Sequence, residues 1–347
     1  MSETSKTSSS VVWIRRWLVL VGLMVYAMIL IGGATRLTDS GLSITEWNPV
    51  GGALPPMSLD AWEIEFAKYR ETTEYQLVNK GMSMAEFQKI FWWEWGHRFF
   101  GRMIGLVAVG GFIAFAVRGW LTKRLTWHLV ALIGLGGLQG AIGWWMVASG
   151  IGETSRVDVA PYRLMTHFML ALLIIAYVSW LWLDLGGKTR SSVSKSVKLV
   201  SLALLIGIFV QMAAGALVAG LDAGRSYNDW PLMAGELVPS HYLETKLGIR
   251  SLFEGRAATQ FNHRLLAYLI WAGALASAWA FRKTELRNGF FWLAGLVSLQ
   301  AVWGIVTLVH AAPMNLALVH QGLGVIVTLA AVRLVWRSTG RLPVSAG

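Results

Sequence analysis

Eight stretches of apolar residues, roughly 17–34, 99–117, 126–147, 164–183, 197–220, 265–281, 290–309 and 316–336, alternate with polar connections along the chain. Each is about as long as a helix needs to cross the hydrocarbon core of a bilayer, and none shows the two-residue alternation of a strand. The pattern predicts an all-α, polytopic membrane protein with eight transmembrane helices. The first stretch is longer than a signal-peptide core and no small-residue cleavage site follows Ile31-Gly32-Gly33-Ala34, so it is expected to stay in the mature chain. The segment before it is short and Ser/Thr-rich rather than an Arg-rich amphipathic helix, which argues against a mitochondrial transit peptide. A bacterial inner membrane is the expected location.

Composition narrows the chemistry. The 347 residues are 55% hydrophobic and 14% charged, include 19 Trp and contain no Cys. Zero cysteine removes disulfides, thiolate metal sites, iron–sulfur clusters, c-type haem attachment and cysteine nucleophiles together. The net charge of +11 would point to nucleic acid in a soluble protein. Here the charges follow topology instead. Lys6, Arg15, Arg16, Arg118, Lys123, Arg124, Lys188, Arg190, Lys195, Lys198, Arg282, Lys283, Arg287, Arg333, Arg337 and Arg341 all fall in connections on one side, accompanied only by Glu3, Asp184 and Glu285. The opposite side holds the remaining 14 basic and 16 acidic residues. By the positive-inside rule the basic side is cytoplasmic, so both termini are expected inside and the long connections at 35–98 and 221–262 outside. No nucleic-acid partner is expected.

The two long outer connections repeat one another. Asp39, Gly41, Trp47, Gly52, Leu54 and Pro56 match Asp222, Gly224, Trp230, Gly235, Leu237 and Pro239 at a constant offset of 183 residues. Downstream, His97-Arg98 matches His263-Arg264, Leu138-Gln139 matches Leu299-Gln300, and His167 matches His320. The chain therefore reads as a parallel tandem duplication: two pseudo-symmetric four-helix bundles, 1–190 and 191–347, the first with the longer outer loop.

The seven histidines divide by this symmetry. His97, His167, His263 and His320 occupy equivalent places at the outer starts of even-numbered spans, on helices able to be neighbours, so each unit offers a pair of imidazoles. Such a pair in a Cys-free bundle suits an iron porphyrin with two axial histidines, although spacing alone leaves zinc open. His128, His241 and His310 have no counterpart in the other half and are expected to be ordinary hydrogen-bonding or loop residues, His310 being able to touch a cofactor without ligating it. Arg98 and Arg264 follow the ligand candidates on the outer side, where a guanidinium suits a porphyrin propionate or, equally, interfacial snorkelling. The run Gly134, Gly136, Gly137, Gly140 and Gly143 reads as close helix packing, with Gln139 an internal hydrogen bonder. Glu94 lies three residues before His97, on the same helical face, whereas Gln260 holds that position before His263. One unit thus carries an acid/base candidate that the other lacks, which predicts chemistry in the first and a permanent redox group in the second. The plainer reading of Glu94 is an exposed helix-start residue favoured by the helix dipole.

Glu94-Trp95-Gly96-His97-Arg98, Asn262-His263-Arg264, His167 and His320-Gln321, set in duplicated four-helix units, together resemble the haem A synthase family, in its Cys-free branch. The resemblance covers nearly all the chain. It implies oxidation of the C8 methyl group of haem O to a formyl group, by successive hydroxylation and dehydration, giving haem A for terminal oxidases. It implies substrate haem at His97 and His167, haem b at His263 and His320 with iron held only through these haem ligands, and Glu94 as the catalytic residue. It implies haem O synthase and cytochrome oxidase assembly factors as partners, an electron partner, and a homo-oligomer. Two other classes remain open on the residues alone. A transmembrane bis-His diheme electron carrier would want ligand pairs near both membrane faces, and a repeat-built transporter would want charged or Pro-broken helices at the midplane.

Overall fold

The computed structural model describes residues 3–152, 154–187 and 190–340, and the described residues are helical with no strands. Eleven α-helices are formed among them: α1 (Glu3–Leu37), α2 (Leu59–Arg70), α3 (Thr73–Leu77), α4 (Met84–Val117), α5 (Lys123–Val147), α6 (Pro161–Asp184), α7 (Lys195–Gly220), α8 (Ser251–Glu254), α9 (Arg256–Ala280), α10 (Arg287–Val309) and α11 (Met314–Ser338). Local sequence sets several of the starts. Ser58, Thr72, Thr122 and Ser194 each accept a backbone N–H at the first turn, and Pro161 opens α6 where its missing N–H costs nothing. Ser83 and Glu86 form a reciprocal capping box at α4.

Among the described residues seven helices are long and apolar enough to cross a membrane: α1 from Ser9, α4, α5, α6, α7, α10 and α11. The segment expected as the sixth span, 265–281, lies in α9. That helix is equally long, but Arg256, Thr259, Gln260, Asn262, His263 and Arg264 crowd its first turns with polar groups. α4 and α9 also start earlier than hydropathy predicts, α9 at Arg256. α4 begins at Met84, fifteen residues before the expected span, because the capping box and the apolar face of Phe87 and Phe91 extend it through a polar sequence. Lys188 and Arg341 lie outside the described residues.

The long helices pack as α1 on α4 and α6, α5 on α4 and α6, α7 on α9 and α11, and α10 on α9 and α11. One apolar core joins α1, α5 and α6 through Leu18, Val21, Leu129, Leu172 and Val178. Another joins α7, α9, α10 and α11 through Leu204, Ile208, Ala274, Phe290 and Leu293. α6 also packs on α7 and α11, and α1 on α11. There Gln321 donates to the Ile29 carbonyl at 3.0 Å, and a Cβ at Gly33 would fall 2.0 Å from the Gln321 Oε1. Asp184, Arg190 and Trp336 tie the opposite ends of α6 and α11 together. The long connection after α1 is itself folded. Trp62, Phe66, Tyr69, Phe87 and Phe91 bury one another in an aromatic cluster that docks α2 on the start of α4.

Candidate active site

The predicted histidines come together in pairs, by a route the sequence reading did not anticipate. α4 and α6, which carry His97 and His167, are not packed neighbours. Both lean on α1 and α5, so they stand across the helix group from one another, and α9 and α11 are related in the same way. His97 and His167 lie close enough for the charge of one to be felt at the other, as do His263 and His320. All four imidazoles are part-buried. Two imidazoles carried on opposed helices of one group are a donor pair that could hold an iron porphyrin.

Each ring sits against a glycine on the long helix before its own. A Cβ built at Gly32, Gly143, Gly215 or Gly304 would stand 3.1, 2.9, 3.1 or 2.8 Å from Cε1 of His97, His167, His263 or His320 respectively. Of the Gly-rich run in α5, only Gly143 makes such an approach. At Gly134, Gly136, Gly137 and Gly140 an added Cβ would meet nothing within 4 Å among the described residues, so these four make no close approach to another helix of this chain.

One turn before three of these glycines stands a glutamine. The Gln139, Gln211 and Gln300 amide nitrogens lie 3.2, 3.1 and 3.2 Å from Nδ1 of His167, His263 and His320, and each donates to the same histidine's carbonyl at 3.0–3.1 Å. Gln139 is thus the hydrogen bonder it was expected to be. The role of Gln300 was not assigned and Gln211 was missed altogether, although a Gln four residues before a Gly in three apolar spans, each followed by a span bearing a candidate histidine, was there to be read.

Glu94 is buried, three turns into α4 and far from the capped start at Ser83, which removes the helix-start reading. Its Oε2 accepts hydrogen bonds from Ser43 Oγ at 2.7 Å and the Ile44 backbone N–H at 2.8 Å, and Arg98 Nη2 donates to Oε1 at 2.5 Å. Gln260 is buried at the matching place and uses its amide differently, donating to the Tyr227 carbonyl at 2.9 Å. Ile44 and Tyr227 are themselves matched by the 183-residue offset. The same loop position is therefore held through its N–H by a carboxylate in one case and through its carbonyl by an amide in the other.

Arg98 and Arg264 latch these loops. Arg98 donates to the Ile44 and Glu46 carbonyls at 2.8 and 2.9 Å, and Arg264 to the Tyr227, Asp229 and Leu232 carbonyls at 2.9, 3.0 and 3.1 Å. Of the histidines without counterparts, His128 pairs with the Tyr177 hydroxyl at 2.6 Å, exposed His310 bonds the Val306 carbonyl at 2.8 Å, and His241 is exposed. Beyond the loop, Glu74 is buried with one oxygen unpartnered, and loss of water plus the nearby acids raise its carboxyl to about 8.

The donor set fits a porphyrin iron better than a protein-held metal. Among the described residues no group of three or more His, Asp or Glu converges on one point, whereas paired imidazoles do recur. Among the described residues the buried Oε1 atoms of Gln139, Gln211 and Gln300 have no partner, so each glutamine brings an unused acceptor into the interior next to a candidate ligand.

Comparison with known proteins agrees. The family model described as cytochrome oxidase assembly protein matches residues 15–332. A heme A synthase of Hyphomonas neptunium is 70% identical over 328 residues, which cover 94% of this chain and 93% of that protein. Heme A synthases of Caulobacter sp. strain K31 and Dinoroseobacter shibae are 46% and 47% identical, over 92% and 96% of this chain and 94% and 88% of theirs. With the match running from the first long helix into the last, the chain belongs to the family described as cytochrome oxidase assembly protein and is similar over nearly its whole length to these heme A synthases.

Proposed function

We propose that this chain is a haem A synthase, an oxidoreductase of the bacterial inner membrane that converts the C8 methyl group of haem O to the formyl group of haem A for cytochrome oxidase assembly. The observation that carries the reading is the single acid among the four histidine sites: buried Glu94 one turn before His97, with Gln260 in its place before His263. In this reading α9 is the sixth of eight spans, and the chain is a duplication of two four-helix units, 1–190 and 191–347. Both termini are cytoplasmic, with the sites near the periplasmic face, as the distribution of basic residues supports.

Haem O is the substrate of the first unit, bracketed by His97 and His167. Haem b is the resident group of the second, held by His263 and His320, where it would supply one-electron transfer. Glu94 is the one carboxylate on the His97 face. Ser43, Ile44 and Arg98 fix its position, so that it could accept a proton released as the methyl carbon is oxidised or offset positive charge there. Gln260 keeps the shape and removes that capacity. Arg98 and Arg264 hold the outer loops over the two units and set cationic groups where propionates would lie. Haem O synthase as the donor of substrate, an electron partner and a homo-oligomeric assembly complete the proposal. A diheme carrier would have no use for an acid held at one site only.

The test is to purify the full chain from cells with and without haem O synthase and identify the bound haems. Haem b in both preparations, with haem O or haem A only when the synthase is present, is the expected outcome. A second equivalent of haem b in place of haem O, whether or not the synthase is present, would favour the carrier.

A further inference from the structure

Three of the four candidate ligands share a seat made of two residues from the preceding long helix. A glycine leaves room for the ring tip, and a glutamine one turn earlier grips the histidine's own carbonyl while its amide lies against the ring nitrogens. The pairs are Gln139 and Gly143 for His167, Gln211 and Gly215 for His263, and Gln300 and Gly304 for His320. The distances repeat to within 0.1 Å for both the carbonyl and the Nδ1 contact, in three different helices. Chance hydrogen bonding of a polar residue inside an apolar helix would not reproduce one geometry three times.

His97 has the glycine without the glutamine. Gly32 makes the notch, and the residue four before it is Met28, whose methyl reaches Gly101 on α4, one turn beyond His97. Among the described residues the hydrogen-bond contact of the ring is with Thr35 Oγ1, which already donates to the Ile31 carbonyl at 2.9 Å and stands 3.4 Å from Nδ1. A thioether cannot anchor a backbone carbonyl or orient an imidazole. The orientation and proton position of a ligating imidazole are set by the partner of its other nitrogen, and loss of such a partner typically weakens binding 10–100-fold.

We infer that Gln139, Gln211 and Gln300 are positioning residues that lock His167, His263 and His320 as haem ligands, and that His97 is left unlocked so that the substrate haem is held firmly from one side only. This rests on the proposed haem sites. It gives the two units different jobs through their ligands as well as through Glu94. The second unit, with glutamine behind both histidines, retains its group, whereas the first, with glutamine behind one, admits haem O and releases the product.

The test uses the purified full-length protein, with haem loss followed by transfer to excess apomyoglobin and ligation followed by the low-spin electron paramagnetic resonance signal. Gln211→Leu and Gln300→Leu should still bind haem b through two histidines but should shift the largest g value and lose haem about tenfold faster or more. Met28→Gln is nearly isosteric and keeps the test open if the Leu variants do not accumulate. It should slow haem release from the first unit several-fold. His263→Ala and His320→Ala test the underlying sites: both should abolish the low-spin haem b signal. Should these two lose the signal while the Gln→Leu and Met28→Gln variants keep wild-type g values and release rates, the positioning role is overturned and the haem sites stand. Should they keep it, the haem sites themselves are wrong and the inference falls with them.

Discussion

Replacing Glu94 by Gln copies the second unit into the first and separates binding from conversion. In the native protein the carboxylate accepts from Ser43, Ile44 and Arg98. An amide keeps one acceptor for Ile44 and Ser43 but turns its nitrogen toward Arg98, so a donor faces a donor and the ion pair is lost. Breaking a fully buried pair costs about 3–5 kcal/mol. Because the Arg98 side chain is 20% exposed and keeps two carbonyl acceptors, about 2–3 kcal/mol is the better figure here. That cost falls on the loop at 43–46 and leaves the histidine seats intact, since no seat residue bonds to Glu94. Haem content in both units should therefore be unchanged, while conversion should fall about 10²–10⁴-fold if the carboxylate takes a proton in the reaction. Extracted haems separated by chromatography should show haem O or a hydroxylated intermediate in place of haem A. Ser43→Ala loosens the same loop by about 1–3 kcal/mol yet keeps the charge, and should lower conversion only a few-fold. Equal losses in the two variants, or a normal haem A yield from Glu94→Gln, would refute the catalytic role and leave Glu94 as a loop anchor.

Gly304→Ala places a methyl 2.8 Å from His320 Cε1 and should cost about 1–3 kcal/mol while disturbing the low-spin haem b spectrum; Gly137→Ala, which meets nothing within 4 Å, should leave the spectrum untouched and serves as its control. Buried Glu74 keeps its proton up to about 8 in the folded loop but loses it near 4.5 when exposed, so its contribution is complete below 4.5, declines as pH rises toward 8 and is gone above. Limited proteolysis of the outer loop in membranes should accelerate over that range, and Glu74→Gln should flatten the dependence; a flat wild-type profile would contradict the burial of this carboxyl. Single cysteines at Ser58 and Ser240 should react with a membrane-impermeant thiol reagent in cells with a permeabilised outer membrane, and one at Ser192 should not; the reverse pattern would invert the topology.

Hydropathy exposes the apolar helices because a bilayer demands long runs without charge, and the repeat exposes the four histidines because their positions recur. The extension of α4 back to Met84 is less visible, since Glu86, Lys89 and Glu94 interrupt the run and only the Ser83–Glu86 box marks the true start. That α4 and α6 stand across the helix group rather than side by side could not be read at all, because which helices touch is settled by packing after the helices exist. The latches of Arg98 and Arg264 were hidden for another reason. Their acceptors are backbone carbonyls, which every residue has, so no side-chain pattern records them. The glutamine seats lie between these cases. A single Gln in an apolar helix is unremarkable, but its four-residue spacing from a glycine in three helices carries the information.

The central claim is that this chain makes haem A. Its most direct test is haem A content in a bacterial host that makes haem O but no haem A, expressing either this chain or its Glu94→Gln variant at matched membrane levels. Haem A formed with the native chain, and haem O accumulating with the variant, is the predicted result. Haem O unchanged in both, with the native chain inserted and carrying haem b, would contradict the claim.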